Sequence, residues 1–190
     1  MSYYRLAIPS DNVIDIIYEW ETSEKNYSYI AGKTVSMNWA YDEYFKKMKE
    51  TIENSKRPYR VLVNQNNEVL GCVKGYNYQE QNNSILIGFY IPEINRNKGY
   101  GTKMLELFVN ELFIDKSLNL NRIIASTVET NEGSKKILEK NLFVLEGKLR
   151  ENMCIDGVKF TEYYYSILRS EWERNLTTAS ISFDETSVNV

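Results

Sequence analysis

Histidine is absent from this sequence. That removes Ser–His and Cys–His nucleophile pairs and every histidine-ligated zinc site. Proton transfer is left to Glu, Asp, Tyr, Ser, Lys, Cys or water. Cysteine is scarce: Cys72 and Cys154 stand far apart and outside metal-ligand spacing, so no metal is expected. The N-terminus MSYYRLAIPSDN is too polar for a signal peptide, and the two cysteines therefore read as free, buried thiols of a cytoplasmic protein. No apolar run approaches membrane-spanning length, so no membrane partner is expected. Clustered positive charge is missing too. The net charge is −3 with no long run of one sign, which argues against nucleic acid and leaves cationic substrates open.

What is present suits one domain: 190 residues, 43% hydrophobic and 26% charged, are ordinary values for a globular chain. Tyr3–Ile8 reads as a strand ended by Pro9-Ser10. Ser10 or Asp11 can cap a helix through Trp20, with Val13, Ile16, Ile17 and Trp20 on one face. An irregular, aromatic-rich segment follows from about Glu21 to Met37. A second helix from Trp39 to Asn54 offers Trp39, Tyr44, Phe45, Met48 and Ile52 to a core. Strands Tyr59–Val63 and Val69–Tyr78 flank the turn NQNNE, and QEQNN precedes the strand Ser84–Ile91. Gly101–Phe113 is a helix with Met104, Leu105, Phe108, Val109 and Leu112 on its buried side. NLNRIIASTV is a strand, and TNEGSKKILEKN a short helix opened by Thr130 or Asn131. Phe143–Ile155 and Lys159–Arg169 form a hairpin across DG. The polar end NLTTASISFDETSVNV is a tail or an edge strand. The order β-α-α-β-β-β-α-β-α-β-β predicts an α+β (mixed α/β) fold, an antiparallel meander entering a parallel crossover.

That crossover opens with NRNKGYGTKMLELF, residues 95–108. A helix N-terminus presents unpaired N–H groups and the positive end of the macrodipole, and glycines let an anion approach the backbone. Arg96 and Lys98 add charge. The P-loop pattern is not met, because no Gly-Lys-Ser/Thr follows the spacer. The dinucleotide fingerprint is not met either, since Met104 stands where its third glycine belongs. By itself the stretch is either an anion site or two turn glycines.

The wider context is more specific. IGFYIPEINRNKGYGTKMLELFVNELF, NRIIASTVETNEGSKKILEKNLFVLEGKLRENMCIDG and YYYSILRSEW together resemble the GNAT superfamily of acetyl-CoA-dependent N-acetyltransferases. The likeness is greatest to the branch of ribosomal-protein N-terminal, spermidine and amino-sugar acetyltransferases. It is specific from Ile87 to Trp172. Arg96-x-x-Gly99-x-Gly101 matches the pyrophosphate loop, and Asn131-x-x-Ser134 through Glu146-Gly147 the second acetyl-CoA motif. The resemblance implies one acetyltransferase domain over 1–172, with 173–190 a tail or edge strand. It also implies a mostly antiparallel twisted sheet that splays between strands 84–91 and 121–128.

It further implies that Arg96, Asn97, Lys98, Gly99, Tyr100, Gly101 and Thr102 hold the pyrophosphate, that Phe89, Tyr90 and Ile91 pair with the pantetheine arm, and that Asn131 binds the pantetheine or adenylate side through its amide. A main-chain N–H near Phe89–Ile91 would polarise the thioester oxygen. Ser134 falls where this branch carries a serine near the departing sulfur, as general acid. Leu86 and Met153 stand where relatives have base carboxylates. Glu151, two residues from Met153 and on the same face of a regular strand, becomes the leading candidate base, ahead of Glu162. In Asn141-Leu142, asparagine is expected to supply the left-handed turn that glycine gives in relatives. Tyr27, Tyr29, Trp39 and Tyr41 are candidates for an acceptor wall, and Glu21 and Glu24 for attracting an amine. The implied reaction is direct attack of a primary amine, small or peptidic, on acetyl-CoA through a tetrahedral intermediate. Relatives often form homodimers. The alternatives are a non-catalytic acyl-CoA-binding module and another nucleotide-binding protein.

Overall fold

The structure, a computed structural model, describes residues 3–22, 40–155 and 157–176. Its elements are β1 (Tyr4–Ala7), α1 (Asp11–Thr22), α2 (Tyr41–Glu53), β2 (Tyr59–Asn64), β3 (Val69–Gln79), β4 (Ser84–Tyr90), α3 (Tyr100–Ile114), β5 (Arg122–Val128), α4 (Glu132–Lys140), β6 (Val144–Ile155) and β7 (Val158–Leu168). The expected order holds throughout. The strands form one sheet, β1-β2-β3-β4-β5-β7-β6, in which β4 and β5 alone run parallel. Among the described residues no helix is long and apolar enough to cross a membrane.

Period-two alternation divides the core between the two faces of the sheet. On one face Ile85, Ile87, Ile123, Ala125, Tyr165 and Ile167 lie under α3, which buries Met104, Leu105, Phe108, Val109 and Leu112 as its pattern predicts. On the other, Tyr59, Val61, Val63, Cys72 and Tyr90 meet Ile14 and Ile17 of α1 and Tyr44 and Met48 of α2. Each such fully buried side chain contributes about 1.5–3 kcal/mol. The α1 stripe is rotated from the expected one, because Tyr18 packs its ring 4.9 Å from Tyr44 and Ile16 is left 36% exposed.

Three further expectations are corrected. Cys72 is buried, but Cys154 is exposed, because β6 is the outermost strand of the sheet. Asn141 has φ −97°, and Leu142 takes the left-handed conformation at φ 66°. Leu142 N–H donates to Glu139 O (3.0 Å) and Phe143 N–H to Leu138 O (3.1 Å), the two bonds of a Schellman turn with leucine in the glycine position. Residues 169–176 are helical, so the polar segment expected from 173 begins inside a helix. That helix is pinned by Trp172 Nε1 donating to Asn110 Oδ1 (2.7 Å) and Arg169 Nε donating to Leu120 O (2.7 Å). Residues 177–190 lie outside the described residues.

Candidate active site

β4 and β5 are paired from Ser84↔Arg122 to Ile87↔Ala125 and no further, although β4 runs on to Tyr90 and β5 to Val128. Beyond that point the two strands part, as the resemblance implies. A cavity of about 650 Å³ lies there, lined by the ends of both strands, the loop 95–102 and the first turns of α4. It carries two kinds of hydrogen-bonding surface: main chain along the parted strands, and main-chain amides at the start of α3.

The start of α3 is shaped by two left-handed residues, Asn97 (φ 60°) and Gly99 (φ 81°). Gly99 is the N-cap and brings no side-chain acceptor, so the first N–H groups of this 15-residue helix keep their donors for a ligand. A Cβ at Gly99 would meet nothing within 4 Å, whereas one at Gly101 would stand 2.6 Å from Ile137 Cδ1. Gly99 therefore serves the turn, and Gly101 lets α3 and α4 approach closely enough for both N-termini to border one cavity. Arg96 Nε donates to Ile91 O at 3.1 Å, tying the loop to the end of β4. Burial pushes the nearby Tyr90 hydroxyl up to about 12, with Arg96 opposing the shift.

Asn131 caps α4: its Oδ1 accepts from Ser134 N–H at 3.0 Å. The cap leaves its amide nitrogen as the outward donor. Ser134, half-buried on the first turn, lines the cavity. So do Phe89, Tyr90, Ile91, Arg96, Asn97, Gly99, Tyr100, Gly101 and Thr102, while Lys98 is exposed and not among the lining residues. Tyr76, Lys136 and Met153 also line it. Tyr76 and Lys136 carried no motif signal; Tyr76 arrives only because β3 pairs with β4.

Glu151 lies elsewhere. Between Leu149↔Glu162 and Met153↔Phe160 the register shifts, so Arg150, Glu151 and Asn152 bulge out opposite Thr161. Glu151 has φ 54°, and its carboxylate pairs with Lys159 at 3.0 Å with 68% of the side chain exposed. Sharing a face with Met153 assumed a regular strand, and the bulge breaks that assumption. Tyr41 hydrogen-bonds Asp15 of α1 and so belongs to the α1–α2 contact. Glu24, Tyr27, Tyr29 and Trp39 lie outside the described residues. Among the described residues no three His, Cys, Asp or Glu side chains gather as metal ligands would.

A parallel strand pair that opens over a glycine-rich helix start defines an acyl-CoA-dependent transferase fold. The family model described as the acetyltransferase (GNAT) domain matches residues 6–144, and the chain belongs to that family. Among its relatives is the putative ribosomal N-acetyltransferase YdaF of Bacillus subtilis (strain 168), 30% identical over 103 residues, 54% of this chain. The chain spans only 55% of that relative's length. The uncharacterized N-acetyltransferase p20 of Bacillus licheniformis is 29% identical over 64% of this chain and 67% of its own. Spermidine N-acetyltransferase from Vibrio cholerae, solved with CoA and spermine, superposes with TM-score 0.79 at 18% identity, covering 89% of this chain and 97% of its own. Ribosomal-protein-S5-alanine acetyltransferase from Vibrio fischeri superposes with TM-score 0.76 at 19% identity, covering 90% and 98%. These two share the fold.

Proposed function

We propose that the protein transfers the acetyl group of acetyl-CoA to a primary amine. The observation that carries this reading is the parting of β4 and β5 beyond Ile87 and Ala125, with the amides of Asn97–Thr102 at one end of the gap. Those amides hold the pyrophosphate, while the main chain of Phe89, Tyr90 and Ile91 binds the pantetheine arm as an added strand would. A β4 N–H donates to the thioester oxygen, where negative charge grows as the amine attacks. Ser134 Oγ–H gives its proton to the departing sulfur. A thiol with a pKa of about 8.5 needs little acid strength, so a serine suffices. The amine belongs to a protein N-terminus, a polyamine or an amino sugar, the classes in which the named relatives and resembling families fall.

The donor half is tested by melting. At CoA a hundredfold above Kd, binding adds about 2.7 kcal/mol, a rise of roughly 5–10 °C for a chain of this size. An equal concentration of ADP or NAD should give a clearly smaller rise. A rise with those nucleotides and none with CoA contradicts the proposal. One observation favours a non-catalytic acyl-CoA-binding module: Glu132, the carboxylate among the cavity-lining residues, is ion-paired to Lys135 at 2.5 Å. The amine's proton therefore needs an acceptor just outside that lining.

A further inference from the structure

A buried carboxylate stands beside the opening between β4 and β5. Glu162 of β7 is 6% exposed, and its neighbour across the sheet is Val128, a cavity-lining residue. Tyr165 and Ile167 belong to the core under α3, so alternation sends Glu162 and Tyr164 to the opposite face. Tyr76 of β3 lies on that face too. A Cβ built at Gly88 would stand 3.5 Å from Tyr76 Cε1, and Gly88 is the first β4 residue past the paired stretch. Tyr164 stands two residues from Glu162 on one face of β7, and Tyr76 lines the same cavity as Val128, the neighbour of Glu162; in keeping with this, burial first, and then the charge of Glu162, pushes the Tyr76 and Tyr164 hydroxyls up. Asn152 Nδ2 donates to Glu162 Oε2 at 2.5 Å. Among the described residues this neutral amide is the one hydrogen-bond donor to the buried carboxylate, and a cation would complete the site.

We propose that Glu162 receives the acceptor: it binds the ammonium of an alkylamine between the rings of Tyr76 and Tyr164 and removes one of its protons. Aromatic faces beside a carboxylate favour an alkylammonium over a neutral group. The inference rests on the acetyltransferase reading. One N–H proton passes to the Glu162 carboxylate, and the freed nitrogen lone pair forms the C–N bond to the acetyl carbon. The C–S bond then breaks, with its electron pair leaving on sulfur. A second nitrogen proton reaches that sulfur through Ser134, leaving an amide and a thiol, and Glu162 returns its proton to solvent. The titratable and charged groups on the same side of the sheet include Tyr59 of β2, Cys72, Lys74 and Tyr76 of β3, Tyr90 of β4, Arg122 of β5, Tyr164 of β7, Glu146 of β6 beside Ser166, Tyr18 and Glu21 of α1, and Tyr44 of α2.

The test is the pH profile of kcat/KM for an alkylamine in the wild type and in Glu162→Gln, which keeps an acceptor oxygen for Asn152. With a protein base the wild type is level from neutral pH up to the amine's own pKa, above which the ammonium it binds is lost. The variant falls about 10²–10⁴-fold at neutral pH. It should then climb tenfold per pH unit toward the amine's own pKa, about 10.4. Calorimetric titration of the alkylammonium into CoA-bound protein should show affinity at least tenfold lower in the variant. If Glu162 only pins the β6 bulge, profile and affinity do not move, and the proposal falls. A wild-type profile that itself climbs to about 10.4 overturns it without any variant, should Glu162→Gln fail to fold. A wild type that binds no CoA and releases no thiol instead overturns the acetyltransferase reading beneath it.

Discussion

Gly99 and Gly101 stand two residues apart and do different work. Gly99 adopts φ 81° with open space around it, so Gly99→Ala meets backbone strain alone, about 1–2 kcal/mol. Gly99→Asn should recover more than half of that loss in urea melts, because asparagine tolerates the left-handed region; equal losses for the two would contradict this account. Gly101 has no such strain, and its constraint is Ile137 Cδ1 at 2.6 Å. The motif itself was legible in the sequence. This division was not, because it depends on a side chain 36 positions further on (137 − 101) that only folding brings near. Glu151 shows the opposite failure. Alternation is a sound rule on a regular strand, and the bulge at Arg150–Asn152 carries no glycine or proline to announce it. Glu162, ranked behind it as a candidate base, is the buried carboxylate among the described residues.

At the scale of elements, α4 ends with Leu142 at φ 66°, in a turn whose hydrogen bonds are otherwise complete. Leu142 is 50% exposed, so its removal leaves little cavity. Leu142→Gly should therefore stabilise the protein by about 1 kcal/mol, read as a higher urea midpoint with unchanged slope. A lower midpoint would contradict the strain argument. Helices α1 and α2 respond to alkali. Beneath them burial raises the Cys72 thiol from 9.0 to about 12, the Tyr90 hydroxyl from 10.0 to about 12, and pushes Tyr59 up as well. These groups are neutral when protonated, so between the unfolded and folded pKa values the native state holds more protons. Stability is then full below pH 9 and falls as pH rises toward 12. Each group adds a slope of about 1.4 kcal/mol per pH unit at most. Fast labelling of Cys72 in native protein at neutral pH would contradict its burial; Cys154 should label at once.

At the scale of the molecule, the element order and the α3 stripe of Met104, Leu105, Phe108, Val109 and Leu112 were legible because local periodicity encodes them. The order also implied that β4 and β5 run parallel, since a helix joins them. The sheet positions of β6 and β7 are not local properties: β7 lies between β5 and β6, and that swap brings Glu162 beside Val128. The glycine loop at the start of α3 and the cap of α4 were readable because glycines and a capping asparagine leave short-range marks. The parts of the proposed acceptor site were not, because Tyr76 belongs to β3 and Glu162 and Tyr164 to β7, strands far apart in the sequence that only the sheet order brings to one side of the cavity. The central claim is catalysis of acetyl transfer, and the most direct measurement is thiol release from acetyl-CoA across a panel of polyamines, amino sugars and peptides with free N-termini, with mass analysis of the amine. The account predicts release that depends on the amine, matched mole for mole by an acetylated product. Tight CoA binding with no release above hydrolysis for any amine would contradict it.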